Sequence, residues 1–117
     1  MWDIMKGGSN YFTRDMKRMI LKMRLMMRIK QGRAYSYGIV KEFGKGGFAK
    51  LMGKSLKNDI YNTIKSLEIG GYIKETSIIE KGKAKKYYSL TVRGEDIMKS
   101  AAKLHKEMLR ELSKLFR

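Results

Sequence analysis

Four lysines fall within six residues, Lys81, Lys83, Lys85 and Lys86, with Gly82 between the first two and Glu80 the only acid beside them. Ammonium groups this close repel one another unless something anionic lies against them. Charge on a strand edge also blocks unwanted pairing, but four lysines exceed what that requires. A second set lies upstream: Lys54, Ser55, Lys57, Asn58, Tyr61, Asn62 and Lys65. An Asn amide matches the donor and acceptor on an adenine edge, and Lys reaches guanine or phosphate. Contact by charge and hydrogen bond is the chemistry these residues offer.

Other chemistries lack their parts. There is no cysteine, so thiolate metal sites and disulfides are excluded, and with a single histidine no common zinc or triad constellation is expected. No metal, cofactor or catalytic residue is expected, and the chain is not read as an enzyme. Gly47 to Ser55, ending Gly53-Lys54-Ser55, imitates a phosphate-binding loop. It has five residues between its glycines where four are needed, and no apolar strand precedes it. It reads better as a basic connector with one short turn at Phe48 to Met52, anchored by Phe48, Leu51 and Met52, with Lys45, Lys50 and Lys54 within reach of phosphates.

The second set needs a helix to present it. Leu56, Ile60, Ile64 and Leu67 recur at helical spacing, which predicts an amphipathic helix over 55–69. Asn58, Asn62 and Lys65 then lie opposite Ile60 and Ile64, with Lys57 and Tyr61 on the flank. A surface helix carries a polar face in any case, so the face alone decides nothing. Gly70-Gly71 stops the helix. Tyr72 to Ile79 alternates and is rich in β-branched and aromatic residues, as a strand requires. Residues 80–85 form a cationic turn and Lys86 to Leu90 the returning strand, with Tyr87 and Tyr88 on opposite faces. Helix, strand, basic tip, strand is the layout of a winged helix, whose helix enters a DNA major groove and whose hairpin tip lies on the backbone or minor groove.

The remaining elements frame this unit. Residues 1–13 are read as an N-terminal extension with a loop at Gly7 to Asn10, in which Trp2, Ile4 and Met5 either dock or fray. Arg14 to Gln31 is predicted as a helix capped by Thr13 and ended by Gly32. It carries two apolar stripes: Met16, Ile20, Met23 and Met27, widened by Met19 and Met26, and Leu21, Leu25 and Ile29 on roughly the opposite side. One stripe suits the core and the other a second subunit. A short helix follows, capped by Ser36, with Ile39, Val40 and Phe43 as its apolar face. Thr91 caps the last helix, with Glu95 and Asp96 near its start. Its apolar arc holds Ile97, Ala101, Leu104, Met108, Leu112 and Leu115, with Met98, Ala102, His105, Leu109 and Phe116 beside them. That is wider than a small domain needs. The dimer interface is therefore placed on Leu21, Leu25, Met98, Ala101, Leu104, His105, Met108, Leu112, Leu115 and Phe116, with His105 in a packing role.

With 117 residues there is material for one core, and 43% hydrophobic content excludes wholesale disorder. Twenty-seven Lys and Arg against eleven Asp and Glu leave +16, which calls for a polyanionic partner. Nucleic acid comes first. A membrane surface fits less well, because an interfacial helix wants one apolar face rather than two. No apolar run reaches the roughly 18–20 residues of a span, so a cytoplasmic, nucleoid-associated protein is expected.

Residues 20–94 resemble the PadR-like winged-helix transcriptional regulators. The resemblance rests on Gly32 with Tyr37 and Ile39, on Ile60-Tyr61 and Leu67-Glu68 leading into Gly71-Tyr72-Ile73, and above all on the run from Lys86 to Gly94 (KYYSLTVRG). It implies a homodimer, joined through the terminal helices, that binds operator DNA with two wings. The family's frequent His-Gly is replaced by Tyr35-Ser36, its prolines are missing, and related winged-helix families such as the MarR-like regulators have a similar layout. The fold class expected is α+β, mainly α: a winged helix-turn-helix over 14–94 with a dimerisation helix over 95–117. The function expected is sequence-specific regulation of transcription on double-stranded DNA. The alternative is a sequence-indifferent architectural or chromatin-type protein on the same fold. Any small-molecule effector is unknown.

Overall fold

The structure is a computed structural model that describes residues 2–116, with side chains from residue 13 onward. The chain runs α1 (Trp2–Lys30), α2 (Ser36–Phe43), α3 (Gly47–Met52), α4 (Leu56–Ile69), β1 (Ile73–Glu80), β2 (Lys83–Leu90) and α5 (Val92–Leu115). β1 and β2 pair antiparallel from Ile73↔Leu90 to Glu80↔Lys83. A mainly helical chain with a two-stranded wing and a long last helix is the expected winged-helix architecture.

One core joins the helices to the base of the wing. Leu56, Ile60, Ile64 and Leu67 of α4 are buried, as their spacing predicts, against Leu21, Leu25 and Ile29 of α1, Ile39 and Phe43 of α2, Ile73 and Met98. This assigns the two stripes of α1. The leucine stripe faces the protomer's own core, with Leu21 at 1% and Leu25 at 0% exposure, so neither is available to a second subunit. Met98, at 6%, is likewise spent inside the protomer. Met16, Met19, Ile20 and Met27 are left in solvent. Periodicity gives two stripes, but packing against α4 selects between them.

α1 does not begin at a Thr13 cap; it starts at Trp2 and continues through Gly7 to Asn10. Each glycine there costs up to about 1 kcal/mol against alanine. Extending an existing helix, however, needs no new nucleation, which is the larger penalty. Docking of Trp2, Ile4 and Met5 lies outside the described side chains. Gly32 ends the α1 region with φ +96°, a conformation open to glycine. Tyr35, in extended backbone, caps α2 in place of Ser36, which is already helical. The glycine-rich connector contains a true helical turn, α3. Met52 is buried and Phe48 packs on the core, but Leu51 points outward at 58% exposure.

The join between wing and α5 is tight. Thr91 caps α5, accepting from Gly94 N–H at 3.1 Å while its hydroxyl donates to the Gly71 carbonyl at 2.6 Å. Thr91 N–H donates to the Tyr72 carbonyl at 3.1 Å. A methyl group on Gly94 would overlap that same carbonyl oxygen. Beyond Met98 the helix has no fully buried residue: Leu104, Met108, Leu109, Leu112, Leu115 and Phe116 are all exposed.

Candidate nucleic-acid interface

α4 carries the outward polar set because its apolar residues lock its other face into the core. Lys54, Ser55, Lys57, Asn58, Tyr61, Asn62 and Lys65 are all exposed. Ser55 does not cap α4 with its side chain; its hydroxyl donates to Asp59 Oδ2 at 2.8 Å. Among the described residues, Lys57, Asn58, Asn62 and Lys65 make no hydrogen bond or ion pair with another side chain. An amide and an ammonium with no protein partner are free to contact an external donor or acceptor at little reorganisation cost.

The wing is longer and its turn shorter than the sequence predicts. Lys83, Ala84 and Lys85 belong to β2, and only Lys81-Gly82 forms the turn. Both have positive φ, +50° and +76°, the type I′ pattern that suits the twist of a hairpin. A lysine in that conformation is strained, yet it places an ammonium at the tip itself. Alternation then sends Lys83 and Lys85 to one face and Lys86 to the other. Lys85 lies 3.9 Å from Glu80 and Lys86 lies 3.6 Å from Glu75, both loose and exposed. Pairs of this kind contribute about 0–1 kcal/mol and yield readily to a stronger anion.

Glu80 is turned away from the tip. It accepts from the Tyr87 hydroxyl at 3.1 Å and pairs with Arg33 at 3.4 Å. Burial of Tyr87, then this hydrogen bond, holds its phenol above the usual range. Tyr87 packs edge-on to Tyr35 at 6.1 Å, while Tyr88 on the opposite face packs on the core. Tyr88 N–H also donates to the Ala34 carbonyl at 2.7 Å, tying β2 to the α1–α2 connection. Both tyrosines therefore stiffen the wing from within the protein. The Arg33–Glu80–Tyr87 contact joins residues far apart in sequence, and no local spacing signals it. Between α1 and α2, Arg28 donates to both carboxylate oxygens of Glu42, at 2.8 and 3.1 Å, and this bond holds the Glu42 carboxyl below its ordinary value.

A helix wedged into the core by one face, followed by a stiff cationic wing, defines a winged-helix protein of the DNA-binding type. A family model, "Transcriptional regulator PadR-like family", matches residues 25–100. The chain belongs to that family, and so to a class of transcriptional regulators rather than enzymes. Among solved structures it is similar to a PadR family regulator from Eggerthella lenta, at 19% identity over 96% of this chain and 95% of that one, with TM-score 0.68. A PadR family regulator from Clostridium difficile R20291 matches at 19% identity over 83% of this chain and 98% of that one, with TM-score 0.66. Bacillus subtilis PadR, in complex with operator DNA, shares 24% identity over 71% of this chain and 46% of that one, with TM-score 0.55. These likenesses establish the fold. No curated protein matches the chain. Among the described residues there is no cluster that could hold a metal ion, and no helix is long and apolar enough to cross a membrane.

Proposed function

We propose that the chain is a homodimeric, sequence-specific DNA-binding regulator, with α4 in the major groove and the wing on the backbone or minor groove. The observation that carries this reading is the outer face of α4, where the Asn58, Asn62 and Lys65 side chains stand exposed with no side-chain partner among the described residues. Lys54, Ser55 and Lys57 serve phosphates near the helix start, Tyr61 lies on the flank, and Lys81, Lys83, Lys85 and Lys86 of the wing engage the backbone. Operator DNA in the Bacillus subtilis complex supports the partner class.

Dimerisation is supported by two apolar surfaces that one protomer leaves uncovered. The second half of α5 exposes Leu104, Met108, Leu112 and Leu115, and α1 exposes Met16, Ile20 and Met27. The cleft between them is lined by Ile20, Met23, Met27, Phe43, Ala102 and His105. A helix end of this length with no buried face is marginal alone in water, so a partner copy is the natural cover. Ala101, His105 and Phe116 complete the proposed interface. A winged-helix unit ending near residue 94, a dimerisation segment over 95–117 and a cytoplasmic, nucleoid-associated location belong to the same reading, with residues 2–13 the start of α1 rather than a separate extension.

The test is binding of a fluorescent mixed-sequence duplex across a salt series. Affinity should fall linearly on logarithmic axes, by about 0.9 in slope per phosphate neutralised. Changing Lys81, Lys83, Lys85 and Lys86 to Gln should flatten the slope by roughly 3–4 per protomer engaged, or about 7 for a dimer with both wings on the duplex. Salt-independent binding, or a wing variant identical to the parent, would count against the proposal.

A further inference from the structure

We propose that the basic stretch of α1, Arg14, Lys17, Arg18 and Lys22, forms a second phosphate-binding strip that grips the DNA backbone beside the groove entered by α4. The proposal rests on the DNA-binding reading above and extends it to an element outside helix α4 and wing. The strip also lies ahead of residue 25, where the family match begins.

The argument starts from one stripe of α1. Ile29, Leu25 and Leu21 recur every four residues and are buried at 2%, 0% and 1% exposure. Continuing toward the N-terminus at helical spacing, the same stripe reads Arg18 and Arg14, with Lys17 and Lys22 flanking it. The face that is core from Leu21 to Ile29 thus becomes cationic just before it, at Arg18 and Arg14. It does so where α1 passes alongside α4. A cleft of about 560 Å³ separates them, with the four cations on one wall and Ser55, Asp59, Asn62 and Ser66 on the other. Buried Leu21 and Met52 also line it and form its floor.

Charge selects the occupant. Arg18 and Lys22 are spaced four apart, so this pair repels along the helix by about 0.2–0.5 kcal/mol, and Lys17 adds a cation beside Arg18. If pairing between α1 and α4 were their purpose, α4 would present acids. Of its two acids, Asp59 and Glu68, only Asp59 lines the cleft, and its carboxylate already accepts from the Ser55 hydroxyl at 2.8 Å. Lys17, Arg18 and Lys22 have no ion-pair partner among the described residues. A second copy of the chain, at +16, adds more like charge. The cleft shares Asn62 and Ser55 with the candidate interface, so a duplex seated on α4 brings its phosphates past this wall. A polyanionic backbone is the partner that relieves the repulsion.

The test compares the full-length chain carrying Lys17→Gln/Arg18→Gln/Lys22→Gln with a charge-matched control, Lys99→Gln/Lys103→Gln/Lys106→Gln, on the polar side of α5. Both bind the same mixed-sequence duplex over a salt series, and circular dichroism checks that each is folded. The strip variant should flatten the salt slope by roughly 2–3 per protomer engaged, about 5 for the dimer, and the control by less than about 1. Lys17→Arg/Lys22→Arg should bind as the parent does. Identical behaviour of strip variant and control overturns the strip; if the wing variant still weakens binding in that case, the DNA-binding reading survives. A parent chain that fails to bind duplex at low salt overturns both. Loss of binding to anionic phosphatidylglycerol vesicles, with duplex binding unchanged, would assign the strip to a membrane surface and overturn it as a DNA site.

Discussion

Replacing Leu104 and Leu112 with Glu should separate dimerisation from folding. Leu104 is 56% exposed and Leu112 43% exposed in the protomer, two turns apart on one face of α5. Neither supports the protomer core, so the variant should keep its helical circular dichroism. Burying the exposed half of one leucine contributes about 1 kcal/mol. Two leucines on each of two protomers give about 4 kcal/mol, or close to three orders of magnitude in Kd at 1.4 kcal/mol per tenfold. Four carboxylates facing one another across a seam would add to that loss. The assay is sedimentation velocity over a concentration series, with the parent sedimenting as a dimer and the variant as a monomer. A monomeric parent, or a variant that remains dimeric at the parent's concentration, would refute the reasoning.

Other perturbations read other parts of the fold. Gly94→Ala should destabilise the chain by at least about 2 kcal/mol, since its methyl overlaps the Tyr72 carbonyl and must push the wing from α5; a thermal melt should fall by roughly 8 °C or more. Lys81→Asn should raise stability by about 1 kcal/mol, because Asn tolerates positive φ better than Lys, while weakening DNA binding by loss of the tip cation. The Arg28 bond depresses the Glu42 carboxyl, so its contribution is present above the ordinary carboxylate range and lost as pH falls through the lowered value. Arg28 is 21% and Glu42 49% exposed, so solvent still screens the pair, and Glu42→Gln should cost about 1 kcal/mol or less at neutral pH and nothing at strongly acid pH, read from urea midpoints at both.

Local patterns were legible and distant ones were not. Leu56, Ile60, Ile64 and Leu67 declared α4 because their spacing is a property of the helix itself, and Thr91 declared its cap for the same reason. The limits of the wing shifted because Lys83 to Lys85 carry no strand signal; cross-strand pairing with Ile78 to Glu80 makes them strand. Leu21 and Leu25 were placed in a dimer interface because a two-striped helix does not say which stripe meets its own core. The need for glycine at 94 depends on a carbonyl at 72, and Glu80's inward turn depends on Arg33, neither of which a spacing rule reaches. The cations of α1 carried a usable sign, an apolar stripe that turns to arginine within the three-to-four-residue spacing of a helix, but its meaning required α4 to lie opposite.

Selection of bound fragments from a random genomic pool, at a salt concentration that suppresses non-specific binding, followed by sequencing, tests the central claim most directly. A homodimer that places two copies of α4 in successive major grooves should enrich an inverted repeat with half-sites about 34 Å, or about one helical turn, apart. Tight, salt-sensitive binding with no enriched sequence would contradict sequence-specific regulation and leave an architectural DNA-binding protein in its place.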